Sequence, residues 1–244
     1  MSRINPSDAA EGLTGMDQGC CTGLLAPPAA CLFDLDGLLL DTEPLHGRGW
    51  SEAAAHFGAS LSKEQLLQLK GRRRLDCAAQ VDGWLPSPVG IEALLAVQQP
   101  IVRALLPGAQ AMPFAQKLVE HCDTSGIPMA LVTSSSLDAV AFKTAAHPWL
   151  DCIQLRVHGD DPELRAGKPD PEPFLLAAQR LAVNASDCWA MEDSRAGTAS
   201  ALAAGCQVWV LSAEPCTADR QGNPRTVDSL GVVLDQLISV STSG

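Results

Sequence analysis

The chain has 244 residues, 46% of them hydrophobic and 18% charged, with a formal net charge of −11. That is enough chain for one large domain, or for a core carrying a smaller one. The acidic balance argues against a general nucleic-acid binder, which needs a basic surface, but leaves room for a small anionic ligand in a local basic pocket. Apart from the adjacent Cys20-Cys21 pair, the nine cysteines are scattered, with no CxxC or Cys/His array. An odd count without framework spacing fits reduced thiols better than a disulfide scaffold. No segment approaches the apolar length that spans a bilayer. The first residues carry Asp8, Glu11 and Asp17 in place of a basic start and an apolar run, so no secretory signal is read. The expectation is a cytoplasmic protein with a small-molecule ligand and no membrane, nucleic-acid or protein partner.

Residues 1–28 are rich in Ser, Gly, Asp, Ala and Pro, show no period, and read as a loose extension ending at Pro27-Pro28. The run 29–33 is a short apolar strand that opens into acid: CLFDLDGLLLDTE, residues 31–43, carries Asp34, Asp36, Asp41 and Glu43. An unpaired buried carboxylate costs several kcal/mol, so such a cluster needs cations, hydrogen bonds or water. From 45 to 104 the rhythm is helical. Trp50, Ala53, Ala54 and Phe57 share a face, Leu61, Leu66, Leu67 and Leu69 follow, and Ile91, Leu94, Leu95 and Val102 form a later stripe. Pro86 and Pro88 make 81–90 compact and irregular.

LLPGA at 105–109 punctuates the chain. A helix over 114–121, a turn at Ser125-Gly126 and a strand over 127–133 follow, then a helix over 137–146 and a strand over 152–157. A helix over 171–181, a strand over 188–191, a helix over 194–204 closed by Gly205, and a last strand over 207–211 complete the pattern. The polar stretch 214–225 receives no element. Strands alternating with helices predict a parallel sheet covered on both faces. The fold class is therefore α/β, a Rossmann-like parallel-sheet core (29–44 and 105–244) with an inserted α-helical cap (45–104).

Ligands of open α/β sheets bind beyond the carboxyl ends of the strands. Four such ends carry polar groups: Asp34 with Asp36, Thr133 to Ser136, Lys168 in GKPDPEPF, and Glu192 with Asp193. Carboxylates offering oxygen alone suit a hard cation, Mg²⁺ above all. A carboxylate can also attack phosphorus, if metal and lysine offset its repulsion from the phosphate. A hydroxyl would hold the phosphoryl oxygens, and a second carboxyl two residues on could serve the leaving alkoxide and the attacking water.

DLDGLLLDTE, VTSSS, GKPDPEPF and MEDSRAGTASALAAG, in that order, resemble the four motifs of the haloacid dehalogenase-like superfamily. The DGLLLDTE run, the helical insertion and MEDS resemble its beta-phosphoglucomutase-like branch, which includes many sugar-phosphate phosphatases. The resemblance implies Asp34 as phosphate-accepting nucleophile and Asp36 as general acid/base, its backbone carbonyl joining the metal shell. It implies Thr133 on the phosphoryl group, Lys168 neutralising charge, and Glu192 with Asp193 completing an Mg²⁺ site with Asp34. Members that dehalogenate lack a carboxyl at the second position, so Asp36 points to phosphoryl transfer. The implied activity is hydrolysis of a small phosphorylated metabolite, a sugar phosphate by expectation. A phosphomutase, or a non-catalytic protein binding the same ligand, remains an alternative.

Other residues are open to two readings. Asp41-Thr42 either caps the first inserted helix or has a role in positioning Asp36 or the hinge of the inserted helices. Ser134, Ser135 and Ser136 could cap the following helix and bind phosphate together, since both use a helix N-terminus. In LKGRRRLD, residues 69–76, the basic Lys70, Arg72, Arg73 and Arg74 are either a solvated loop or a reader of the substrate's anionic end. His46, near the hinge, is a candidate substrate contact, as are Lys70, Arg72, Arg74, Ser134 and Ser135.

Overall fold

The structure is a computed structural model that describes residues 25–69, 74–212 and 222–241. It opens with β1 (Ala30–Phe33), four residues without solvent exposure. The chain then forms a two-residue strand, β2 (Leu40–Asp41), and leaves through four helices: α1 (Glu43–His56), α2 (Lys63–Leu69), α3 (Arg74–Asp82) and α4 (Ile91–Leu105). It re-enters through β3 (Gln110–Ala111), which pairs antiparallel with β2, while Met112 N–H donates to Leu39 O at 2.9 Å. Both crossings of the chain thus run side by side. The sequence reading contained no such ribbon, because two residues per strand are too short for an alternating pattern to register.

After β3 the chain alternates strictly. It runs α5 (Ala115–Thr124), β4 (Met129–Val132), α6 (Leu137–Thr144), β5 (Leu155–Val157), α7 (Glu172–Arg180), β6 (Cys188–Glu192), α8 (Arg195–Ala203) and β7 (Gln207–Leu211). Two more elements follow, β8 (Arg225–Val227) and α9 (Leu230–Ser241). Six parallel strands stand in the order β5-β4-β1-β6-β7-β8. The sequence reading ended the sheet at 207–211; β8 adds an edge strand.

Strand side chains alternate between the faces. On one face Cys31, Phe33, Leu131, Trp189, Met191 and Trp209 pack with Leu118 and Val119 of α5 and Val233 and Leu237 of α9. On the other Ala30, Leu32, Val132, Ala190 and Val208 pack with Phe174 and Ala177 of α7 and Ala201 of α8. The inserted helices have an apolar cluster of their own around Trp50, Ala53, Ala54, Cys77, Val81 and Leu94. No helix among the described residues is long and apolar enough to cross a membrane.

Candidate active site

β1 lies between β4 and β6, with Phe33 in register with Leu131 and Met191. The residue after it emerges at the carboxyl edge among three strand ends, where an open parallel sheet places its ligands. That residue is Asp34, held by its own N–H to Met191 O at 3.1 Å and only 7% exposed. Lys168 reaches it from the loop before α7. Its ammonium donates to Asp34 Oδ1 at 2.6 Å, Glu192 Oε1 at 2.5 Å and Val132 O at 2.8 Å, one acceptor for each of its three protons. Glu192, wholly buried at the end of β6, accepts from the Ser194 hydroxyl at 3.0 Å with its second oxygen. The same hydroxyl accepts from Gly197 N–H and so caps α8, which fixes both ends of the β6–α8 turn. Thr133, also buried, directly follows β4, and its hydroxyl accepts from Ser135 N–H at 3.1 Å.

The charges are unevenly balanced. Burial pushes the Asp34 carboxyl well above its usual range; Lys168 pulls it down, while Glu192, Asp36 and Asp193 push it up again. Burial alone would lower the Lys168 pKa, but Asp34 and Glu192 hold it above that of a free lysine. An ionised Asp34 therefore calls for more positive charge than Lys168 supplies. Asp34, Glu192 and Asp193 each offer a carboxylate oxygen, all within 4.8 Å of one another. Gly37, in the left-handed region at φ 81°, allows this, since a Cβ there would overlap the Asp193 carboxylate. An all-oxygen, acidic donor set short of positive charge fits a hard divalent cation.

Asp36 points elsewhere. Lys143 Nζ, from the buried face of α6, donates to its two oxygens at 2.6 and 2.7 Å. The Ser135 hydroxyl donates to Oδ2 at 2.9 Å and the Thr42 hydroxyl to Oδ1 at 2.7 Å. Burial acts to raise the Asp36 pKa, but Lys143 and Thr42 outweigh it and hold the carboxyl below its ordinary range. Thr42 occupies the N-cap position of α1 without capping it; its hydroxyl serves Asp36 instead. Ser136, not Ser134 or Ser135, caps α6. Lys143 escaped the sequence reading, although a lone lysine three residues after Val140, on the apolar face of LDAVAFKT, was a visible signal.

A cleft of about 1950 Å³ opens between the inserted helices and the core; Asp36, Ser134, Ser135 and Lys143 line it from the core, His46 and Arg74 from the helices. Burial lowers the His46 pKa, with Asp36 opposing and Lys143 and Arg74 reinforcing. Lys70, Arg72 and Arg73 lie outside the described residues. Arg103 of α4 stacks over the Phe142 ring of α6 at 4.1 Å from its centre, a cation–π contact across the cleft that the sequence reading did not contain.

Residues 28–205 match the haloacid dehalogenase-like hydrolase family. The chain is 36% identical over 182 residues to a Drosophila melanogaster protein described as a probable pseudouridine-5'-phosphatase, covering 73% of this chain and 79% of that one. It is 33% identical over 182 residues to hexitol phosphatase A of Escherichia coli K12, covering 75% and 82%. A HAD family hydrolase of Deinococcus radiodurans R1, solved with bound phosphate and sodium, superposes with a TM-score of 0.69 at 25% identity, over 88% of this chain and 97% of that one.

Proposed function

The chain belongs to the haloacid dehalogenase-like hydrolase family, and from that premise we propose that it is a Mg²⁺-dependent phosphatase of a small phosphorylated metabolite, a sugar or polyol phosphate. The observation that carries the reading is the buried Asp34 held at 2.6 Å by Lys168, beside Glu192 and Asp193, at the strand edge below the cleft. The phosphatases among the relatives support the substrate class.

In this reading Asp34 attacks phosphorus and becomes an aspartyl-phosphate while the alkoxide departs with a proton from Asp36. Water then attacks the phosphorus, gives its proton to Asp36, and frees Asp34 and inorganic phosphate. Lys168 orients Asp34 and offsets its charge, and Thr133 holds a phosphoryl oxygen. Asp34, Glu192 and Asp193, with the Asp36 carbonyl, would hold Mg²⁺, whose chemistry is Lewis-acid neutralisation of the phosphate charge. The cleft residues His46, Ser134, Ser135 and Arg74, with Lys70 and Arg72, would meet the rest of the substrate, and closure of the inserted helices would exclude bulk water.

The test is phosphate release from p-nitrophenyl phosphate and a panel of sugar and polyol phosphates with Mg²⁺. Release is expected for the wild type, lost with EDTA, restored by excess Mg²⁺, and absent in Asp34→Asn. A folded wild type that releases phosphate from no ester overturns the reading.

A further inference from the structure

The proposed reaction makes no use of Lys143, yet Lys143 is 3% exposed and lines the cleft from the core side. Burying an ammonium has a desolvation cost of several kcal/mol, and a buried ion pair is a poor way to stabilise a fold compared with apolar residues of similar volume. A methionine or leucine would fill the apolar face of α6 without that cost. The geometry also exceeds what anchoring a helix requires. Lys143 Nζ contacts both Asp36 oxygens, at 2.6 and 2.7 Å, and the Ser135 hydroxyl at 2.7 Å. That hydroxyl in turn donates to Asp36 Oδ2, so it is oriented by the lysine and passes the orientation on. Thr42, at the root of the inserted helices, closes the arrangement from the other side.

We propose that Lys143 is a positioning residue for the acid/base carboxylate: it and Ser135 fix the Asp36 side chain from the core, against Thr42 at the hinge, at the edge of the cleft. The inference rests on the phosphatase reading. In the first step the bond between phosphorus and the leaving oxygen breaks, the Asp34–phosphorus bond forms, and the Asp36 proton goes to the leaving oxygen. In the second, water forms a bond to phosphorus, the Asp34–phosphorus bond breaks, and the water proton returns to Asp36. A misplaced Asp36 harms the first step only where the leaving oxygen needs a proton. An alkoxide needs it; p-nitrophenolate is stable enough to leave without it.

That difference separates positioning from mere structural support. The quantity to compare is kcat/KM, which reports events up to the first irreversible step, here release of the alcohol. For Lys143→Met, kcat/KM on glycerol phosphate is expected to fall about 100-fold, the scale of a lost general acid. On p-nitrophenyl phosphate it is expected to fall by no more than about 3-fold. Lys143→Gln, which keeps an N–H donor, should recover part of the loss on the alkyl ester and serves as the second variant if methionine prevents folding. Equal losses on both esters, or none, in a variant with wild-type circular dichroism overturn the inference while leaving the phosphatase reading intact. A wild type inactive on both esters overturns the two together.

Discussion

Lys168 shows most directly how one residue makes the others tolerable. Its side chain is 4% exposed, and it is bonded to Asp34 at 10% and Glu192 at 0%. Removing one partner of a buried ion pair costs about 3–5 kcal/mol, because the other is left uncompensated. Lys168→Met leaves two carboxylates without their shared cation, so urea unfolding should show a loss at the upper end of that range, with phosphate release abolished. Unchanged stability would mean that the carboxylates do not depend on Lys168 for their charge. Asp34, Lys168 and Glu192 were legible in the sequence because each sits at a strand end or in a motif whose chemistry is demanding. Thr42 lies six residues from Asp36 and was open to a positioning role, but the Lys143–Asp36 pairing spans 107 residues of chain, and short-range pattern carries no trace of it.

Elements bring these residues together through close approaches that only glycine permits. Gly197 lies in the first turn of α8, and a Cβ there would overlap the Glu192 carboxylate. In an exposed helix Gly→Ala gains about 1 kcal/mol. Here overpacking against a buried charged group costs about 1–3 kcal/mol, and the displaced carboxylate also loses its bond to Lys168. The second effect should prevail: Gly197→Ala is expected to lower the thermal midpoint and to raise the Mg²⁺ concentration needed for half-maximal phosphate release. A rise in midpoint would show that α8 can shift away from Glu192 at no cost. The core strands and helices were readable from their apolar runs and caps, since β1, β4 and β6 are buried throughout. What failed was short or late. β8 has three residues, two of them half-buried, and β2 and β3 have two each, too few for a period to appear. α9 follows a polar stretch with no motif, so the one-sided apolar pattern of LGVVLDQLISVS stands apart from the strand–helix alternation that marks the rest of the core.

At the scale of the whole molecule, the apolar residues divide into the two faces of the sheet and a third cluster within the inserted helices. The third is joined to the rest by the β2/β3 ribbon and faces the core across the cleft. The division predicts that the insertion can lose stability locally, since separately packed clusters open with their own free energies. Leu94 of α4 is fully buried at the centre of the third cluster. Leu94→Ala removes its contacts and leaves a cavity, a change that typically costs about 2–5 kcal/mol. Hydrogen exchange followed by mass spectrometry should then show reduced protection in peptides from α1 and α4, with β1 and β6 unaltered. Because Asp34 and Lys168 belong to the core, chemistry on the small p-nitrophenyl phosphate should decline little, while KM for a sugar phosphate that reaches His46 and Arg74 should rise. Equal loss of protection in β1 and α4 would show instead that the insertion and the sheet open as one unit. Specificity would then be inseparable from the stability of the whole chain.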